Sequence, residues 1–245
     1  MNQKENSWNM HAQWWQNNFT NGKNKEYSEQ LLPLIVELMD GCEKIIDIGA
    51  GEGQILRALN PSRSYSIGID ISERQVLRGK KLAPSTLLMR AAAEELPFND
   101  SSFDGAIACL VFEHVELEMS IREAARVLKK SGKFVIAINH PMILSTGSMW
   151  VEDWVSDPPE KYWKMGAYLR EEISEENFGD GVSIPFTHRP LNRYVNILSE
   201  CGFSITRMIE PEPYSSVDKD SPWRDEMSHI PRLLLLVCEY TSGRA

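Results

Sequence analysis

The stretch Ile45-Ile46-Asp47-Ile48-Gly49-Ala50-Gly51-Glu52-Gly53 constrains this chain more than any other. Three isoleucines around one aspartate read as a buried strand, and the alternating glycines read as a turn that opens a helix. Glycine allows φ > 0 and lets the backbone come close to a ligand. A second apolar run, Ser66 to Asp70, ends in a carboxylate that can accept hydrogen bonds from a ribose diol. The two runs together predict a strand, turn and helix built for a nucleoside-containing ligand.

The rest of the chain supplies the other elements of such a fold. Glu29 to Met39 carries Leu31, Leu34, Ile35 and Leu38 at helical spacing, with Pro33 near its start and Gly41 as its stop. Strands are expected at Lys44–Ile48, Ser66–Asp70, Thr86–Met89, Phe103–Val111 and Lys133–Ile138. Between them, helices are expected at Gln54–Leu59, closed by Asn60-Pro61, and from Ser72, whose Ser-x-x-Gln spacing suits a capping box. A third is expected from His114 to Lys129, closed by Ser131-Gly132. Leu191, Tyr194, Val195 and Leu198 mark a later helix that Gly202 ends, and Phe203–Ile209 and Leu233–Tyr240 read as two more strands. Alternating strands and helices predict an α/β fold: a Rossmann-like, seven-stranded, mostly parallel sheet with helices on both faces. Between His140 and Pro190 the alternation fails, and the segment is rich in aromatics, which predicts a cap inserted after strand five. The chain then divides as one domain, 1–245: N-terminal helices over 1–40, a ligand-binding core over 41–140, the cap over 141–190, and the remaining sheet over 191–245.

Composition narrows the function classes. A net charge of −9 argues against a chain whose main task is gripping a phosphate backbone. The longest aliphatic run, Leu233 to Val237, is too short to span a bilayer, and Met1 to Asn6 lacks the apolar stretch of a signal peptide, so a cytoplasmic setting is expected. Cys42, Cys109, Cys201 and Cys238 are widely separated and form no CxxC pair, which predicts free thiols and no zinc site.

The glycine spacing is Gly-x-Gly-x-Gly, not Gly-x-Gly-x-x-Gly. Glu52 inside the turn and Asp47 before it would face a dinucleotide pyrophosphate with carboxylates. S-adenosylmethionine carries a sulfonium, an ammonium and no phosphate, so acidic surroundings suit it. The order DIGAGEG, GIDIS, AAAEELPFNDSSFD, CLVFEHV and EAARVLKKSGKFVIAINHP resembles class I S-adenosylmethionine-dependent methyltransferases of the type 11 branch, which includes quinone-biosynthesis C-methyltransferases. The resemblance covers roughly residues 44 to 140, and HRPLNRYVNILSECGFSITRMIEPEP extends it.

The resemblance implies roles for particular residues. Gly49, Ala50 and Gly51 would lie against the methionine part of the cofactor, and Asp47 would orient its ammonium. Asp70 would accept from both ribose hydroxyls, and Ile71 would pack on the adenine. Ala93 and Glu94 would border that ring, and Leu110 and Val111 would lie under the sulfonium. Many relatives carry an aspartate at the position of Ala92, so the adenine contact differs here in detail.

His140 follows strand five, at the edge where open α/β sheets bind ligands, and is the first candidate for a general base. A histidine bonded to nearby main chain is the competing reading. Glu113, His114, Trp15 and Trp150 are candidates for an acceptor pocket, with the N-terminal Trp8, Trp14 and Phe19 either closing over the cofactor or merely docking their helix. Taken together, the expected activity is methyl transfer from S-adenosylmethionine to the oxygen, nitrogen or carbon of a small molecule, without a metal, a nucleic acid or a membrane. An RNA or protein methyltransferase, an NAD-dependent oxidoreductase and a non-catalytic cofactor-binding protein stay open as alternatives.

Overall fold

The apolar runs of the sequence pair into one sheet. The computed structural model describes residues 3–19, 23–59, 65–177, 181–214 and 228–241. Helix α1 spans Gln3–Phe19, and a π-helical turn, Glu26–Leu31, leads into α2, Leu32–Leu38. Then follow β1 (Lys44–Ile48), α3 (Gln54–Ala58), β2 (Tyr65–Asp70), α4 (Glu73–Leu82), β3 (Leu87–Arg90), β4 (Phe103–Cys109), α5 (Leu117–Val127) and β5 (Leu128–Asn139). The aromatic segment contains α6 (Pro141–Leu144) and two hairpins, β6 (Met149–Asp153) with β7 (Glu160–Lys164) and β8 (Glu172–Asn177) with β9 (Ser183–His188). The chain returns to the sheet through α7 (Leu191–Glu200), β10 (Phe203–Ile209) and β11 (Leu233–Tyr240).

The seven-stranded sheet has the order β10-β11-β5-β4-β1-β2-β3. Strands β1 to β5 run parallel, while β11 runs antiparallel to both β5 and β10. The expected fold class is therefore the observed one. Side chains alternate across a strand, and β1 shows what this does. Ile46 and Ile48 join the core under α5 and α7. Ile45 joins the core under α2, α3 and α4. Asp47, two residues on from Ile45, is carried into that same apolar layer and is 1% exposed.

Several boundaries moved for identifiable reasons. Pro33 has no N–H, so the helix expected from Glu29 cannot begin regularly there. It opens instead with the π turn, in which Leu32 N–H donates to Tyr27 O, five residues back. The helix expected from His114 starts only at Leu117, because Glu113 and His114 are held by strands β5 and β9. It ends at Val127 rather than Lys129, since Leu128 already pairs with Phe103 and a bulge carries the basic turn. Ser72 caps α4 as expected, its hydroxyl accepting from Gln75 N–H. The reciprocal half of a capping box is absent, because Ser72 N–H goes to Asp70 and the Gln75 amide to Gln16. On α7 the buried face is Tyr194, Ile197 and Leu198, while Val195 turns outward. The Asn60-Pro61 helix stop lies outside the described residues.

Strand order reverses at β1 and β4: the chain fills β1, β2 and β3 outward, then crosses back to β4 on the other side of β1. Such a point leaves a crevice at the carboxyl ends of the strands. The functional cleft lies there.

Candidate functional site

The cleft is built first by the turn after β1. Gly49, Gly51 and Gly53 all have positive φ, at 71°, 56° and 79°. A Cβ at Gly49 would stand 2.3 Å from Val111 Cγ2, so the turn packs directly on the segment after β4. A Cβ at Gly51 would meet nothing within 4 Å, and Gly51 lines the cleft. At the end of β4, Leu110 has φ 57°, a strained conformation for a branched side chain, and is held there by its N–H donating to Ala137 O at 2.8 Å.

Asp70 ties the turn to the next element. Its Oδ2 accepts from Gly51 N–H and its Oδ1 from Ser72 N–H, both at 2.8 Å. A carboxylate offers about four acceptor directions, so two remain. Burial pushes its pKa up to about 6, against the pull of the Ser72 and Gly51 bonds. Behind the turn, Asp47 is buried with Oδ2 unpartnered, and burial together with Asp70 raises it to about 8. An unsatisfied buried carboxylate beside a second one calls for a cation. Glu52 differs from expectation. Its carboxylate is 2.7 Å from the Arg57 guanidinium, so its charge is compensated locally and does not by itself oppose a phosphate. The acidity of the cleft comes from Asp47 and Asp70.

The pH dependence of stability should expose Asp47. Between about pH 4 and pH 8 the folded chain holds a proton on Asp47 that the unfolded chain has lost. The native state binds more protons, so stability falls as pH rises through this window, by at most about 1.4 kcal/mol per pH unit. Asp47→Asn lacks this group. The variant's melting temperature should gain on the wild type's between pH 5 and pH 8, and parallel pH curves in calorimetry would remove the assignment.

Helix α1 closes the cleft from above. Asn9 Oδ1 accepts from Ser72 Oγ and Arg74 N, Gln16 Nε2 donates to Gln75 Oε1, and Gln54 Nε2 donates to Phe19 O. These polar contacts seat α1 on α4 and on the start of α3. They bring Trp8 and Trp15 into the cleft wall, with Trp15 stacked on Phe19 at 4.0 Å. Helix α1 is therefore docked on α4 and α3, and its tryptophans line the cleft.

The sequence-derived residues sort cleanly. Gly49, Ala50, Gly51, Asp70, Ile71 and Ala93 line the cleft, as do Glu94, Leu110, Val111, His114 and Trp15. Asp47 lies just beneath it. Glu113 is buried outside the lining, its Oε1 accepting from Asn139 N and Nδ2 at 2.7 and 3.0 Å. Trp150 sits on the first hairpin against Trp163, at 5.4 Å, and does not reach the cleft. Among the described lining residues none comes from 141–190, so this segment is a buttress rather than a wall. Its β9 holds the cleft edge through Thr187 N–H donating to Glu113 O.

His140 is also outside the cleft, which corrects the expected base. Its Nδ1 accepts from Met142 N–H at 3.2 Å, capping α6, and its Nε2 donates to Glu210 at 2.9 Å. The Nδ1 bond caps α6, and the Nε2 bond ties the end of β5 to the residues after β10. His140→Ala should lower the melting temperature by the loss of a cap, about 0.5–2 kcal/mol. Turnover with an acceptor should stay within a few-fold of wild type at every pH; a hundredfold loss in a folded variant would restore His140 as the base.

Tyr27, Cys109, Gln75 and Val115 line the cleft without having been singled out for it. Tyr27 stands in a polar stretch with no periodicity to mark it. Cys109, read only as a thiol, ends the apolar run of β4, and that position was the available signal.

Residues 46–136 match the family described as a methyltransferase domain. A ubiquinone/menaquinone biosynthesis C-methyltransferase of Bartonella quintana is 30% identical over 171 residues, 61% of this chain and 64% of that protein. A demethylmenaquinone methyltransferase of Tropheryma whipplei is 33% identical over 103 residues, 40% of this chain and 43% of that protein. The chain thus spans less than two thirds of the length of the curated relatives it matches. The crystal structure of an S-adenosylmethionine dependent methyltransferase from Mesorhizobium loti superposes with a TM-score of 0.71 at 25% identity, over 85% of this chain and 95% of that one.

Proposed function

We propose, from the premise that residues 46–136 are a methyltransferase domain of the type 11 branch of class I, that the chain moves a methyl group from S-adenosylmethionine to a small molecule. The observation that carries the reading is the cleft at the β1–β4 switch. It has a glycine turn open at Gly51, a carboxylate at the end of β2, and the unpartnered buried carboxylate of Asp47 beneath. These features fit the cofactor's parts. The turn leaves room for the methionine moiety, Asp47 offers a counter-charge to its ammonium, and Asp70 keeps acceptor capacity for the ribose. Ile71 and Ala93 would border the adenine, and Leu110 and Val111 would floor the reacting end.

The cofactor supplies a methyl on a sulfonium, already bound to a good leaving group. The protein's share is alignment and exclusion of water. Leu110, locked by its bond to Ala137, and Val111, packed on Gly49, present a rigid apolar floor. Trp8 and Trp15 cover the opposite side. The acceptor is a small molecule that fits under α1. No helix among the described residues is long and apolar enough to cross a membrane. Titration calorimetry with S-adenosylhomocysteine and with NAD tests the reading: binding of the first and not the second is expected, and the reverse would replace methyl transfer with hydride transfer.

A further inference from the structure

Once the residues facing the cofactor are set aside, the lining left for an acceptor includes Trp8, Trp15, Tyr27, His114 and Val115. The deduction below rests on the methyl-transfer reading. Two features of this end of the cleft stand out. Among the described lining residues there is no lysine or arginine. An anionic acceptor would find no counter-charge from the protein there. The second feature is His114, the one imidazole in the wall.

His114 is held on three sides. Its Nδ1 is 2.9 Å from Pro185 O of β9, and a carbonyl can only accept, so Nδ1 carries the proton. Nε2 is then a bare lone pair. Trp8 packs edge-on against the ring at 4.8 Å and Phe186 at 4.6 Å, which fixes its plane. The insert's second hairpin therefore sets both the tautomer and the orientation of a ring in the cleft wall. Burial, with the nearby Arg189 charge adding to it, holds the imidazole down to about 4, against the pull of the Pro185 bond, so it is neutral at cellular pH.

We propose that His114 determines acceptor specificity: its Nε2 accepts a hydrogen bond from an O–H or N–H of an uncharged ring packed against Trp8 and Trp15. Acceptors that lack the donor leave Nε2 unpaired, and acids are disfavoured because the wall offers them no counter-charge.

The test uses the full chain saturated with S-adenosylhomocysteine and two probe series, measured by titration calorimetry. One series is 4-ethylphenol, 4-ethylanisole and 4-ethylbenzoate; the other is indole, 1-methylindole and indole-3-carboxylate. In at least one series the donor-bearing probe should bind roughly tenfold tighter than both its methylated and its carboxylate analogues. In His114→Phe, which keeps an aromatic ring between Trp8 and Phe186, that preference over the methylated analogue should vanish while S-adenosylhomocysteine affinity is unchanged. The wild-type comparison needs no variant and decides the matter even if His114→Phe folds poorly. Equal binding of donor and methylated probes, tighter binding of the carboxylates, retention of the preference in a folded His114→Phe, or no binding in either series would each overturn the proposal. Failure to bind S-adenosylhomocysteine at all would instead count against methyl transfer.

Discussion

Gly51→Val should give a folded protein that no longer binds S-adenosylmethionine. The turn holds Gly51 at φ 56°, where a β-branched residue is strained by about 1–2 kcal/mol. That cost is bearable for a domain with this much buried sheet. Folding is not otherwise threatened, because a Cβ at this position meets nothing within 4 Å. The same open space is what the methionine moiety would occupy, and an isopropyl group would fill it. Affinity should fall by at least about a hundredfold, the scale expected when bulk enters a packed contact, about 3 kcal/mol. Gly49 provides the contrast. A methyl there would stand 2.3 Å from Val111 Cγ2, so Gly49→Ala should destabilise the whole fold by about 2–4 kcal/mol from strain and overpacking. Circular dichroism and calorimetry on the two variants separate a blocked cleft from a broken turn. A folded Gly51→Val that binds the cofactor normally would show that the turn is not its cradle.

What the sequence made legible follows from the range of the forces involved. The strand at Ile45–Ile48, the glycine turn and Asp70 are local: alternation, positive φ and a carboxylate at a strand end are written in neighbouring residues. The alternation of such local units also made a seven-stranded, mostly parallel sheet legible, whereas the strand order is set by long-range pairing and appears only in the structure. Residues whose role depends on distant partners were not legible. His140 stands at the right edge of the sheet, yet its ring is bound to Glu210, seventy residues on. Trp150 has the aromatic character of a pocket residue, but its hairpin pairs it with Trp163. Tyr27 enters the cleft because a π turn before Pro33 rotates it inward, and nothing in the hydrophobic period marks that turn. Arg57, five residues on, compensates Glu52, so the charge facing a phosphate at the glycine loop is smaller than the sequence Asp47-x-x-x-x-Glu52 implies.

Asp70 should show the second large effect, and its pH dependence makes the test specific. Asp70→Asn keeps the shape of the side chain but places an amide NH2 where one acceptor oxygen now serves Gly51 or Ser72. It also weakens the charge-assisted bonding to a ribose by about 1.5–3 kcal/mol in all, so affinity for S-adenosylmethionine should drop roughly tenfold to a hundredfold at pH 8. In the free wild-type protein burial raises Asp70 to about 6, and burial with Asp70 beside it raises Asp47 to about 8, so the pair titrates as a coupled unit above the usual carboxylate range. A cationic cofactor favours the ionised forms, which means that binding releases protons and tightens as pH rises through this range. At pH 5 the wild-type pair is already protonated before binding, and the advantage over Asp70→Asn should shrink. Calorimetry in buffers of different ionisation enthalpy should register proton release near neutral pH for the wild type and less for the variant. A wild-type affinity that is flat from pH 5 to pH 8, or a variant that matches it throughout, would mean that this carboxylate serves only to tie Gly51 to Ser72 and that the ribose is held elsewhere.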